Sequence, residues 1–287
     1  MNTVYHYCSA ETFLSVIKYK KLWLGDIRYM NDYMEMKWFM DAFNELLDTE
    51  LSSEAHKELL ENLKNNQALT KPYISCLSES GDILSQWRAY AQDGHGIAIG
   101  FNPNKLGVII DSNVGTNKFI KQSLHLNTVS YWDKEKIKNE ILKITKQAPD
   151  VIDFFATLDK EFEDLPNSLQ SRIVSTCFKL IHLSLHIKNP AFSEEKEVRI
   201  IYNHFPKYHK DSNKDNKDYK HFLASKSFRI SSGNLTTHYE LPILKDAITE
   251  IILGPKCNFS SDDIHDYIKA NNIHNSVDIK KSTASYR

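Results

Sequence analysis

The chain has 287 residues, enough to bury a large core within one domain, and its 41% hydrophobic and 25% charged residues are an ordinary globular balance. Lys and Arg number 36 against 37 Asp and Glu, a formal net charge of −1, so no global field draws the chain to nucleic acid or a membrane surface. Glycine is scarce, 9 residues in all, and there is no GxGxxG, GxxxxGK[ST] or GxSxG; Rossmann, P-loop and hydrolase-elbow readings therefore lack their phosphate cradle or turn.

Cys8, Cys76, Cys177 and Cys257 are scattered without a CxxC pair, which points to reduced thiols rather than a disulfide framework or a zinc site. The opening MNTVYHYCSAETF has no basic-then-apolar leader pattern, and no apolar run approaches membrane-spanning length. A cytoplasmic location without a membrane partner is the expectation.

In chain order, Val4–Tyr7 predicts a strand, followed by a helix with Ser9 at its N-cap and Phe13, Leu14, Val16 and Ile17 at helical spacing. Leu22–Leu24 predicts a second strand ended by Gly25-Asp26. A helix is expected after Asn31-Asp32, with Glu35 in capping-box spacing, and another over 53–66. Tyr73–Leu77 predicts a third strand, Ile83–Tyr90 a short helix and Gly96–Phe101 a buried strand. Residues 133–188 read as mostly helical, with breaks near Pro149 and Pro166. Glu197–Tyr202 alternates cleanly as a strand. Lys207 to Arg229 holds seven Lys/Arg against three Asp; a solvated loop is the default reading, and contact with phosphate is the alternative. Strands at Phe222–Ile230, Leu235–Leu241 and Ile248–Leu253, a helix near 261–270 and a short last strand complete the pattern. Strands outnumber βαβ units and helices cluster centrally, so the fold class is α+β, with one domain over 1–287 and a largely helical insertion at roughly 130–188.

Four segments carry groups that do chemistry. YHYCS, residues 5–9, puts His6 among hydroxyl and thiol groups at a strand end, where a packing role competes with ribose or amide binding. RYMNDYMEM, residues 28–36, is explained by a turn and helix cap. The stretch from Cys76 to Phe101 concentrates Ser78, Ser85, Gln86, Trp87, Arg88 and His95 between two strands, a frequent place for function. In NPAFSEEKEVRIIY, alternation puts Glu195 and Glu197 on a face with Arg199, opposite Val198 and Ile200. That is either a solvated edge with a Glu–Arg pair or a carboxylate at the lip of a cleft. His182 and His186 have metal-ligand spacing, but HLSLH lacks an internal Glu and a third ligand, so a surface helix face and no metal site are expected.

The order YHYCS, KLWLGDIRYMND with Glu35, YISCLSES with SQWRAYA and GIAIGF, FSEEKEVRI and ITEIILGPK resembles the bacterial family catalogued as domain of unknown function 2971 over almost the whole length. More remotely, YHYCS–helix–KLWL is similar to the first motif of DarT-like ADP-ribosyltransferases, whose Tyr-His-x-Thr strand end holds NAD, and KEVRII is similar to the strand that carries their catalytic glutamate. The resemblance implies an ADP-ribosyltransferase-like split β-sheet core, with NAD as co-substrate and no metal. It assigns Glu197 as catalytic carboxylate, Glu195 as its companion toward the acceptor, and His6, Tyr7, Ser9, Asn31 and Ser78 to NAD binding. Cys8 stands where Thr is usual, and Ser9 supplies the neighbouring hydroxyl.

The implied activity is transfer of ADP-ribose to a nucleic acid or protein acceptor, in a toxin or antiviral defence effector with a possible neutralising antitoxin. The alternatives are an NAD glycohydrolase and a non-catalytic nucleotide- or partner-binding module of the same fold. The chemistry is physically coherent. Breaking the nicotinamide–ribose bond develops oxocarbenium-like charge, and a bare carboxylate at about 4 Å in an effective dielectric of about 20 attracts it by roughly 4 kcal/mol.

Overall fold

A computed structural model describes residues 2–29, 33–49, 54–70, 72–110, 124–157, 162–202, 223, 226–231, 233–273 and 276–286. Asn31 and Asp32 lie outside the described residues, as do most of the lysines between 207 and 226.

The elements are β1 (Val4–Cys8), α1 (Ala10–Tyr19), β2 (Lys21–Asp26), α2 (Tyr33–Thr49), α3 (Glu54–Thr70), β3 (Tyr73–Ser78), α4 (Leu84–Tyr90), β4 (Ile97–Phe101), β5 (Ile109–Ile110) and β6 (Leu124–Thr128). Then come β7 (Ser130–Tyr131), α5 (Lys134–Lys146), α6 (Pro149–Thr157), α7 (Asn167–His186), β8 (Ile187–Lys188), β9 (Glu197–Tyr202), β10 (Ser227–Ser231), β11 (Asn234–Pro242), β12 (Ile248–Leu253), α8 (Ser261–Ala270) and β13 (Asp278–Lys281). The protein is mixed α+β. Pro149 opens α6 and Pro166 immediately precedes α7, the positions where a missing N–H does least harm.

One sheet runs β10-β11-β2-β3-β1-β4-β12-β13, with β9, β6 and β5 branching from β3. β3 is the pivot. One of its edges pairs with β9 at all six residues, from Tyr73↔Tyr202 to Ser78↔Glu197. Its other edge is shared by two strands that touch only its ends: β2 at Tyr73 and Ile74, and β1 at Ser78. Between those contacts Ser75–Leu77 have no registered partner on that side. The α1 helix connects the two diverging strands, so the sheet opens along this stretch.

Two large cores flank the sheet. α1 and α8 place Phe13, Val16, Ile17, Ile264 and Ile268 on one face, against Val4, Leu22, Leu77, Ile99, Val198 and Ile200. α2, α3, α5, α6 and α7 cover Ile74 and Ile201 on the other face. A third, small cluster seats α4 behind β1: Trp87 packs edge-on to Tyr7 with ring centroids 4.8 Å apart, beside Ala98 and Ile252. Gly96 is required where these parts meet, since a Cβ there would stand 2.2 Å from the Cys8 carbonyl oxygen.

Of the two readings open for the Glu195–Arg199 face of β9, a solvated edge and the lip of a cleft, the solvated edge is corrected. Five of its six residues are buried, because β3 and β6 pair on either side and both sheet faces are covered. The surface placement expected for His186 is also corrected, while His182 stays partly exposed. His186 is fully buried, with Nδ1 2.6 Å from the His182 carbonyl and Nε2 2.6 Å from the Asn127 amide nitrogen. If the amide donates, the imidazole is neutral with its proton on Nδ1. Both ring nitrogens are thus committed to the protein. No helix among the described residues is long and apolar enough to cross a membrane.

Candidate functional site

A cavity of about 790 Å³ follows the open edge of β3, within the roughly 300–1,000 Å³ usual for ligand sites. Ser75, Cys76 and Leu77 form its floor, β1 gives His6 and Tyr7, and α1 gives Thr12, Ser15 and Val16. Glu195 and Glu197 border it from the β9 side, Gln86 and Tyr90 from α4, and Trp23 and Arg229 from β2 and β10. His6 shares a face with Val4 and Cys8, whereas Glu197 shares the opposite face with Arg199 and Ile201. Both border one cavity because the sheet is split between them.

His6 Nδ1 lies 3.4 Å from the Cys76 carbonyl oxygen. Burial pushes the imidazole below its usual range, against the opposing effect of that backbone contact, so it is neutral at neutral pH. Nε2 has no hydrogen-bond partner among the described residues. Tyr7 is anchored: its hydroxyl donates to the Ser80 carbonyl and accepts from the Ile83 N–H, both at 2.9 Å. Ser9 caps α1, its Oγ accepting the Thr12 N–H at 3.1 Å, and does not itself line the cavity. Ser78 is buried off the cavity. It donates to the Glu195 carbonyl at 2.7 Å, which ties the end of β3 to the turn before β9. Asn31 cannot be placed among these groups, lying outside the described residues.

The two glutamates belong to a quartet of charges, three of them buried and Glu195 partly exposed. Arg199 grips Glu197 with both ends of its fork, Nε to Oε1 at 2.7 Å and the terminal nitrogen to Oε2 at 3.1 Å. It also donates to the Leu185 carbonyl at 2.9 Å. Lys188 Nζ bridges Glu195 at 2.6 Å and Glu197 at 3.0 Å. Lys188, Glu197 and Arg199 are each under 5% exposed, so their charges must balance within the protein. Burial alone would raise the Glu197 carboxyl; Arg199, then Lys188, outweigh it and hold it down to about 2. The solvated Glu–Arg edge considered from the sequence is therefore a desolvated network. Arg199 was visible as a partner by alternation. Lys188 was not, since it reaches β9 through the β7–β8 ribbon, where it sits opposite Tyr131.

Trp87 and Asp82 also find their roles here. Trp87 Nε1 donates to Asp82 at 2.8 Å, and Asp82 accepts from Ser282 Oγ and from the Thr283 N–H and hydroxyl. The C-terminal residues thus brace α4, the helix that carries Gln86 and Tyr90.

This is a mixed α+β protein with a ligand-sized cavity in a split sheet, bordered by a neutral histidine and a carboxylate pair. Residues 86–200 match the family model described as Protein of unknown function (DUF2971). The matched segment runs from α4 to β9, is similar to the family the ordered motifs resemble, and contains Lys188, Glu195, Glu197 and Arg199 but not β1. No curated protein and no solved structure matches the chain.

Proposed function

We propose that the protein cleaves NAD and transfers ADP-ribose to an acceptor, on an ADP-ribosyltransferase-like split sheet. The observation that carries this reading is the convergence of His6, Glu195 and Glu197 on one cavity along the unpaired edge of β3. In this reading His6 Nε2 holds a ribose hydroxyl and Glu197 faces the C1′ carbon. The C1′–nicotinamide bond breaks, nicotinamide departs with the bonding pair, and the acceptor oxygen or nitrogen bonds to C1′. Glu195, more exposed than Glu197 with 13% against 5% of its side chain open, takes the acceptor's proton. Glu197 is ionised at neutral pH, but Lys188 and Arg199 share its charge. Its attraction for the oxocarbenium is accordingly weaker than that of a bare carboxylate.

The test is release of nicotinamide from NAD by the full chain, with labelled ADP-ribose followed into nucleic acid and protein fractions. Glu197→Gln and Glu195→Gln should each lower release by roughly 10²-fold or more, measured on the folded fraction. Release without transfer points to water as acceptor, the glycohydrolase alternative. Wild-type protein that binds NAD and releases nothing refutes catalysis. That last reading, a nucleotide-binding module, is favoured by one observation: both Glu197 oxygens are already engaged by buried cations.

A further inference from the structure

The geometry points to a phosphate subsite at Arg229, in the corner of the cavity formed by β2, β10 and β11, which takes the phosphates of a nucleotide. It deepens the NAD reading but rests on it only in supposing that the occupant is a nucleotide.

Both signs of charge line the cavity. Lys21 and Glu240 neutralise one another at 2.5 Å. Glu195 and Glu197 are matched by Lys188 and Arg199. Glu11 lies at the start of α1, where its carboxylate accepts from the Gln92 amide at 3.3 Å. Arg229 is different. Its guanidinium has no ion pair and donates no hydrogen bond among the described residues, and its Nε is buried without a partner.

Its setting is built rather than incidental. The guanidinium carbon lies over the Trp23 ring at 5.3 Å from the centroid, and the His238 ring packs on Trp23 at 4.3 Å. His238 is itself buried, with Nδ1 unpartnered. Burial first, and the Arg229 charge second, keep His238 below its usual range, so it adds no second cation. β10 fixes the backbone through Arg229↔Thr236, and β11 continues the sheet to β2 through His238↔Gly25.

An unsatisfied, partly desolvated cation is costly and is relieved by an anion. A planar guanidinium with free N–H groups matches phosphate oxygens better than it matches a single neutral acceptor. The carboxylates on the other wall make orientation follow from charge: phosphate is repelled at Glu195 and attracted at Arg229. A nucleotide in the cavity is thereby turned with its phosphates toward β10.

The experiment titrates the full chain with ADP, with adenosine as the phosphate-free probe and with inorganic pyrophosphate, by calorimetry at low and high salt. Arg229→Met keeps the stem over Trp23 and removes the charge. ADP should bind wild type and lose roughly 10- to 100-fold in affinity in Arg229→Met, while adenosine binding is unchanged. Added salt should weaken ADP binding to wild type more than to the variant. Pyrophosphate that binds wild type through Arg229 as tightly as ADP does would overturn the nucleotide assignment in favour of a free-anion site. ADP binding that is absent, no tighter than adenosine, or unaffected in a variant of unchanged melting temperature would overturn the subsite. The two proposals fail separately. Arg229-dependent ADP binding without nicotinamide release removes only the transfer reaction, and release with Arg229-independent ADP binding removes only the subsite.

Discussion

The two walls of the cavity use the same residue type in opposite ways. At the start of β9, Arg199 is buried with each of its three guanidinium nitrogens donating to Glu197 or the Leu185 carbonyl. On β10, Arg229 faces the cavity with its charge unmatched by any described side chain. The first arrangement explains itself within the folded chain. The second is complete only with something added. The contrast shows that a charged group at a cavity wall is weak testimony for ligand binding until its partners have been counted, and that the most conspicuous charged motif, EEKEVR, is also the most heavily engaged in holding the fold.

The largest expected effect that would break this contrast is on the β9 wall. Arg199→Met removes one partner from a desolvated pair and leaves Glu197 with Lys188 alone. A loss of about 3–5 kcal/mol is expected, read as a lower urea midpoint at unchanged slope. A variant as stable as wild type would mean that the network is not sealed from water. For the same reason Glu197→Gln is expected to lower stability, not to leave it near wild type as an exposed cleft residue would.

The acid dependence is the next largest effect, and its sign follows from the shifted groups. Glu197 has its folded value lowered from 4.5 to about 2, so its stabilisation is complete above 4.5 and is lost as pH falls from there toward 2. His6 and His186 are lowered from 6.5 by burial, so the unfolded chain takes up their protons first and stability declines as pH falls below 6.5. Urea midpoints measured against pH should therefore fall in two stages. Glu197→Gln should flatten the lower stage and leave the upper one. An unchanged lower stage would show that Glu197 is not the group responsible.

Much of this was legible in the sequence, and the reasons differ from place to place. The β1–α1–β2 unit announced itself because its signals are local: a β-branched and aromatic run, Ser9 as cap, and apolar residues at helical spacing. The bounds of β9 were equally clear, yet whether its charged face met solvent or a cleft stayed open. Alternation shows which residues share a face but not whether that face meets water, and here α2, α3, α5, α6 and α7 lie on that side of the sheet. β6 was missed altogether. LHLNT is short and mixed, and it is a strand because β9 lies beside it. The cavity itself follows from β3 being contacted at its two ends by different strands, a long-range fact with no local pattern. Arg229 fell within the strand expected at Phe222–Ile230 and closed a basic stretch whose default reading was a solvated loop, with phosphate contact as the alternative; nothing local ties it to Trp23.

A smaller effect sharpens the border between capping and binding. Ser9 satisfies the Thr12 N–H, so Ser9→Ala should cost about 1 kcal/mol of stability. Ser9 does not line the cavity, so affinity for ADP should be unchanged within error. A tenfold loss of affinity in a folded Ser9→Ala protein would return this hydroxyl to the ligand.

The smallest stability effect belongs to Arg229, and it is the sharpest contrast with Arg199. Among the described residues its side chain contacts the Trp23 ring and its backbone is bonded in β10, and Met preserves both the stem and the backbone. A surface cation over an aromatic ring contributes about 0.5–1 kcal/mol, and removing an unpartnered buried Nε offsets part of that. Arg229→Met should therefore unfold within roughly 0.5 kcal/mol of wild type in the absence of nucleotide. Excess ADP then separates the two proteins. A ligand that binds only the folded state raises stability by RT ln(1 + [L]/Kd), about 2.7 kcal/mol at a hundredfold excess over Kd. At one fixed ADP concentration the wild-type midpoint should rise and that of Arg229→Met should stay near its ligand-free value. If Arg229→Met is instead strongly destabilised without nucleotide, the guanidinium is serving the fold as Arg199 does, and the distinction between the two walls disappears.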